Sequence, residues 1–280
     1  MAYKTILVHV HDLRRTYRLL EAAIPLARQM EAHLIGLSVL PPFILIPATD
    51  GGGATVTVEA HRDAYKEEMT QLKELFLAAT RGQILQSEWR EADAGFATPA
   101  SAVIEHARSV DLIIAGQKDP DWTYSEMLEQ PERLAIESGR PLLLVPNTGN
   151  IAMPARRISL AWNARREAAR AVFDALPLLR RADEVNVVWI NPERDQPSAG
   201  DLPSADICAA LARHGVTCQA THASPRDGDV GVELLRQASV FGSDLLVMGC
   251  YGHSRLREFI LGGASRHILK AMRLPVLMAH

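Results

Sequence analysis

Four glycines near the C-terminal end, Gly249, Gly252, Gly262 and Gly263, are spaced so that backbone amides could cradle an anion. Without a Cβ, glycine lets the N–H groups of the chain approach a ligand closely, and the free amides that open a helix favour phosphate. The first two follow an apolar run, Leu245-Leu246-Val247-Met248, short enough for a buried strand. The second pair opens Gly262-Gly263-Ala264-Ser265, and the RHILKAMR that follows has helical spacing. Ser265 adds a hydroxyl donor in the first turn. Pro275-Val276-Leu277-Met278 reads as a further strand, so Asp244–His280 is expected to be a parallel βαβ unit. The plainer alternative is that these glycines only shape a tight connection and start a helix. Neither a Walker A pattern nor a close GxGxxG occurs.

Other candidate chemistry is thinner. His9 and His11 point to one side of a strand and could chelate a metal, but no third ligand stands at a suggestive spacing, which favours a structural role. His253 and His267 flank the glycine loop, and surface positions suffice to explain them. Cys250 beside Gly249 would be redox-sensitive only with a stabilised thiolate; an inert thiol is expected. Arg255 and Arg257 could complement phosphate charge, or be solvated loop charges. No GxSxG elbow, HExxH or kinase signature is present.

The chain that must position these groups has 280 residues, a length that suggests two domains. Hydrophobic residues at 48% and charged residues at 22% suit a globular protein with a full core, and a net charge of −3 argues against general nucleic-acid binding. Three cysteines, Cys208, Cys218 and Cys250, form neither a disulfide framework nor a zinc spacing. The N-terminus lacks a signal-peptide layout and no apolar run approaches a membrane span, so a reducing, cytoplasmic setting is expected.

In order, strands are expected at Tyr3–Val10, Ala32–Leu40, Ile84–Glu91, Asp111–Gly116 and Pro141–Val145. Helices are expected at Arg14–Met30, Val58–Thr80, Thr98–Arg108 and Ser125–Ser138, the last with Pro131 inside or splitting it. Tyr65, Met69, Leu72, Leu75 and Phe76 form the apolar side of the second helix. Pro41–Thr55, rich in proline and glycine around Phe43-Ile44-Leu45-Ile46, is a loop, read as a flap on its own domain rather than a partner contact. The pattern then restarts: Arg157–Trp162, Val185–Ile190 and Val216–His222 as strands, with helices at Arg165–Leu179, Ala205–His214 and Val230–Phe241. Asp111-Leu-Ile-Ile-Ala-Gly116 parallels Asp244-Leu-Leu-Val-Met-Gly249 at an offset of 133, and Ile6 parallels Ile158 at 152. The chain is therefore a tandem of α/β domains, 1–147 and 156–280, joined near Pro146–Ala155.

Gly249-x2-Gly252-x9-Gly262-Gly263 resembles the nucleotide-binding signature of the universal stress protein family, Gly-x2-Gly-x9-Gly-Ser/Thr. Gly263 stands where the family's nucleotide binders usually carry Ser or Thr. The resemblance covers both halves. It implies two tandem Rossmann-like domains, each an open five-stranded parallel sheet flanked by helices. It also implies pairing of the two halves through their last strands, PLLLV and PVLMA, with a homodimer as a further option.

By the same resemblance, the second half would bind an adenine nucleotide: ATP, or ADP or AMP, with Mg2+ as an optional companion. The family's first-strand acidic residue maps onto Asn163, after Ala161 and Trp162; Ile190 maps onto the base-contacting position and Met248 onto the residue just before the first glycine. Gly249, Gly252, Gly262, Gly263, Ala264 and Ser265, with Arg255, would hold the phosphates. In the first half Gln117–Ser125 supplies no second glycine, Asp119 and Asp121 would repel phosphate, and Asp12 is expected as a helix N-cap. That half reads as degenerate. The implied role is a nucleotide-dependent stress-response adaptor with at most slow hydrolysis; the alternative is a nucleotide-free scaffold acting through its dimer surface.

Overall fold

The computed structural model describes residues 2–42, 56–83, 86–122, 124–191, 204–225, 228–250 and 263–280. The first half runs β1 (Thr5–His9), α1 (Thr16–Met30), β2 (His33–Leu40), α2 (Val56–Thr80), β3 (Ser87–Asp93), α3 (Pro99–Ala107), β4 (Leu112–Gly116), α4 (Ser125–Leu128), α5 (Pro131–Glu137) and β5 (Leu142–Val145). The second runs β6 (Arg157–Trp162), α6 (Arg166–Asp174), α7 (Leu176–Leu179), β7 (Glu184–Ile190), α8 (Ala205–Arg213), β8 (Cys218–Ala223), α9 (Val230–Phe241), β9 (Leu245–Gly249), α10 (Gly263–Ala271) and β10 (Val276–Ala279). This is an α/β fold.

All ten strands form one sheet in the order β3-β2-β1-β4-β5-β10-β9-β6-β7-β8. The nine neighbouring pairs are joined by eight parallel ladders and one antiparallel ladder, the latter between β5 and β10, with Leu143 opposite Leu277. The short runs LLLV and VLMA are fully buried, as expected for strands covered by helices on both faces. Alternation along each strand sends Ile6 and Val8 to one core and Leu7 to the other. Each of these two cores contains residues of both halves, so the helix layers are continuous across the β5–β10 seam.

Local chemistry sets the element ends. Thr98 caps α3 by accepting from Ser101 N–H, with Pro99 at the first helical position. Asp229 caps α9 through Gly231 and Val232 N–H, and Gly242 closes it at φ 68°. Pro131 does not sit inside a helix: it opens α5 and so separates it from α4. Likewise Arg165–Leu179 divides at Ala175, before Pro177 opens α7. One expectation for α2 fails. Tyr65, Met69, Leu72 and Phe76 are buried, but Leu75 is 45% exposed, because it falls a step off their i, i+4, i+7, i+11 stripe. Residues 43–55 of the expected flap lie outside the described residues. Among the described residues no helix is long and apolar enough to cross a membrane.

Candidate functional site

In each half the strand order reverses beside the first strand, between β1 and β4 and between β6 and β9. Ligands of open parallel sheets bind at the C-terminal ends of the strands at such switch points. In the second half this place has an apolar floor. Ala161, near the end of β6, packs against the buried cluster that holds Val188, Ile190, Met248 and Ile268. Ile190 ends β7 and Met248 precedes the last residue of β9, so three strands deliver small-to-medium apolar side chains to one face. Trp162, one residue on, packs against the core of the opposite face.

Gly249 closes β9 because nothing larger fits. A Cβ there would lie 2.4 Å from the Glu167 carbonyl carbon and 2.5 Å from Ala168 N, both backbone atoms of the first turns of α6. Gly231 does the same for helix packing: its Cβ would stand 2.9 Å from Ala264 O, so α9 lies against the start of α10. Gly263 opens α10 with nothing among the described residues within 4 Å of a Cβ, and Ser265 in the first turn is buried. Asn163 Oδ1 accepts from Arg165 N–H at 3.1 Å, tying the turn into α6. Gly252, Arg255, Gly262 and His253 lie outside the described residues.

His267 Nδ1 stands 3.7 Å from Asp229 Oδ2. Cys250 is buried, its Sγ donates to Ala279 O at 3.4 Å, and burial, then the charge of Glu167, pushes its thiol up to about 12. It is an inert thiol.

The first half fills the same place with its own side chains. Glu129, at the end of α4, accepts from His11 Nε2 (2.9 Å), Asp119 N–H (2.7 Å), Ser125 Oγ (2.5 Å) and the Arg15 guanidinium. Burial works to raise the Glu129 carboxyl, but the hydrogen bond and charge of His11, with Arg15 and Ser125, outweigh it and hold it below the usual range. Arg15 also donates to Asp12 Oδ2 (2.7 Å), Asn147 Oδ1 (2.8 Å) and Gln117 O (3.1 Å). His9 and His11 stack at 4.6 Å, and both are buried. Among the described residues no group of three potential ligands could hold a metal ion. Asp12 is not the helix cap. It accepts from Arg14 N–H and pairs with Arg14 and Arg15, and the cap position itself falls to Arg15.

Gln117 was legible in the sequence only as a missing glycine. Its Nε2 donates to Leu269 O (2.8 Å) and Lys270 O (3.1 Å), and its Oε1 accepts from Asn147 N–H (2.9 Å). It therefore satisfies free carbonyls at the end of α10 from across the seam. No motif marks such a residue; a buried amide just past a strand end is the only hint.

Residues 155–280 match the model of the universal stress protein family. No curated protein matches the chain in sequence. Among solved structures, a universal stress protein from Archaeoglobus fulgidus DSM 4304 superposes with a TM-score of 0.71 at 14% identity, covering 98% of this chain and 95% of that one. The functionally unknown protein PA1789 from Pseudomonas aeruginosa PAO1 gives 0.58 at 17% identity, covering 99% and 92%. A putative universal stress protein from Pseudomonas aeruginosa UCBPP-PA14 gives 0.53 at 17%, covering 99% and 93%. At these identities the likeness is one of fold, and it runs the length of the chain. Residues 155–280 thus resemble the universal stress protein family, and the first half repeats the same α/β order.

Proposed function

We propose that the second half binds an adenine nucleotide, ATP with or without Mg2+, and that occupancy sets which partner or packing state the protein adopts. The observation that carries this reading is the apolar floor of Ala161, Ile190 and Met248 at a switch point next to the start of α10. The base would lie on that floor, and the phosphates would face the helix start at Gly263, Ala264 and Ser265 with Gly252, Arg255 and Gly262 of the signature. The role is binding rather than turnover, since Asn163 offers no carboxylate to orient an attacking water and is already engaged by Arg165 N–H.

Two features favour a second reading, a nucleotide-free scaffold: Gly263 lacks the hydroxyl of the family signature, and Asn163 lacks the charge. Calorimetric titration with ATP-Mg separates the two. Wild type is expected to bind one equivalent. Gly252→Asp and Gly262→Asp, which place negative charge in the cradle, should weaken binding at least tenfold, about 1.4 kcal/mol. Gly263→Ser meets nothing among the described residues at its Cβ, restores the hydroxyl of the family signature and should tighten binding. A nucleotide-free wild type that binds none of ATP, ADP and AMP leaves the scaffold.

A further inference from the structure

We infer that Cys208 and Cys218 form a disulfide-competent thiol pair, a modification site that staples α8 to the outermost strand, β8, when the protein meets a small-molecule disulfide such as oxidised glutathione. The argument starts from the connection between the two elements. Val216 N–H donates to Leu211 O (3.0 Å) and Gly215 N–H to Ala212 O (2.9 Å), so the chain turns straight back on itself after α8. Cys208 lies three residues before Leu211, roughly 4.5 Å back along a helix. Cys218 lies two residues past Val216, roughly 6.6 Å along a strand. The two positions therefore run abreast.

The faces also agree. Cys208 follows buried Ile207 and precedes buried Leu211 on the side of α8 that meets the sheet. Strand alternation turns Cys218 to that same side, and both cysteines pack against one core cluster. Burial, then the neighbouring Cys208 thiol, pushes the Cys218 thiol up to about 12. Both are free, and both are only partly buried, whereas Cys250 is fully buried. β8 ends the sheet, so among the described residues no further strand holds it from outside.

The step is thiol–disulfide exchange. One cysteine of the pair attacks oxidised glutathione as the thiolate, breaks its S–S bond and releases one glutathione thiolate. The other, giving its proton to solvent, then attacks the protein sulfur of the mixed disulfide and releases the second glutathione. Two protein thiols lose two electrons in all, and one oxidised glutathione becomes two reduced ones.

The experiment treats the full-length protein with oxidised glutathione, alkylates the remaining thiols and maps peptides by mass spectrometry. The expected product is a Cys208–Cys218 cross-linked peptide that dithiothreitol reverses, with Cys250 unmodified. Closing this ten-residue loop should raise the Tm by roughly 3–5 °C. Cys208→Ser and Cys218→Ser should each abolish the cross-link and the Tm gain, leaving glutathione trapped on the cysteine that remains. Both cysteines alkylated after treatment, or two stable glutathione adducts on one wild-type chain, would overturn the pairing.

Discussion

At the switch point of the first half, a buried carboxylate, an arginine and two stacked imidazoles fill the space at the strand ends. At the corresponding point of the second half, the floor is Ala161, Ile190 and Met248, and no buried ion pair among the described residues crosses it. The repeat offsets make the substitution concrete. His9 stands 152 residues before Ala161, so an imidazole occupies the position where the second half has a methyl group. Glu129 stands 133 residues before Gly262, so a carboxylate takes the chain position of the signature glycines. The first half has provided its own anion, held by one backbone N–H, one hydroxyl, one imidazole and one guanidinium. Those are the donor types that a bound phosphate would recruit. One fold thus supports a self-filled site and an open one, and the difference lies in a few side chains at strand ends.

Removing the internal anion should have the largest effect. Glu129→Ala would remove the acceptor that Arg15 and His11 share in a buried pocket and should cost about 3 kcal/mol in urea-induced unfolding. Glu129→Gln keeps the shape and an acceptor oxygen and should cost less. If Glu129→Ala is as stable as wild type, the carboxylate is not what fills the site, and the contrast between the halves collapses.

The matched glycines give a narrower comparison. Gly249→Ala would force a methyl into the backbone of α6 at 2.4 Å, and should cost about 2 kcal/mol as strand and helix separate. Gly116→Ala, the same change in the first half, meets only the His11 ring at 3.8 Å and Glu129 Oε1 at 4.0 Å, ordinary contact distances. It should stay within about 0.5 kcal/mol of wild type. Equal losses would mean that both helices sit equally close to their strands.

How much of this the sequence carried depends on how local the determinant was. The strands and most helices were legible because apolar runs, alternation and proline positions act within a few residues; β6 and α9 match their expected bounds, and Pro131 splits its helix as a proline should. The small-residue start of α10 was legible for the same reason. The first-half network was not. Glu129 meets His11 across 118 positions and Arg15 across 114, and Gln117 reaches Leu269 across 152. Each of these residues reads locally as an ordinary surface polar group, and only the folded sheet brings it to its partners. Asp12 shows the same limit from the other side. A carboxylate before a helix suggests a cap, but Arg14 and Arg15 turned it into an ion-pair centre.

The smallest effect expected concerns His9. Burial, then the neighbouring His11, holds its imidazole well below the usual value of 6.5, so the folded protein keeps it neutral while the unfolded chain protonates it. Below pH 6.5 the unfolded state binds one proton more than the folded state, and stability falls with acidification by about 1.4 kcal/mol per pH unit from this group. The shifted carboxylates around it act in lower windows. Asp12 and Glu129, both held below their usual range, withdraw stability only as pH falls through the carboxylate range, and Glu68, raised chiefly by burial, acts with the opposite sign there. Between pH 7.5 and 5.5 the slope should therefore trace to His9 in β1, with no counterpart at Ala161 in β6. Native-state hydrogen exchange of β1 and β6 amides at the two pH values reads both strands in one sample. His9→Leu should flatten the β1 response and leave β6 unchanged. A β1 slope that survives His9→Leu would show that the filled site titrates through another group.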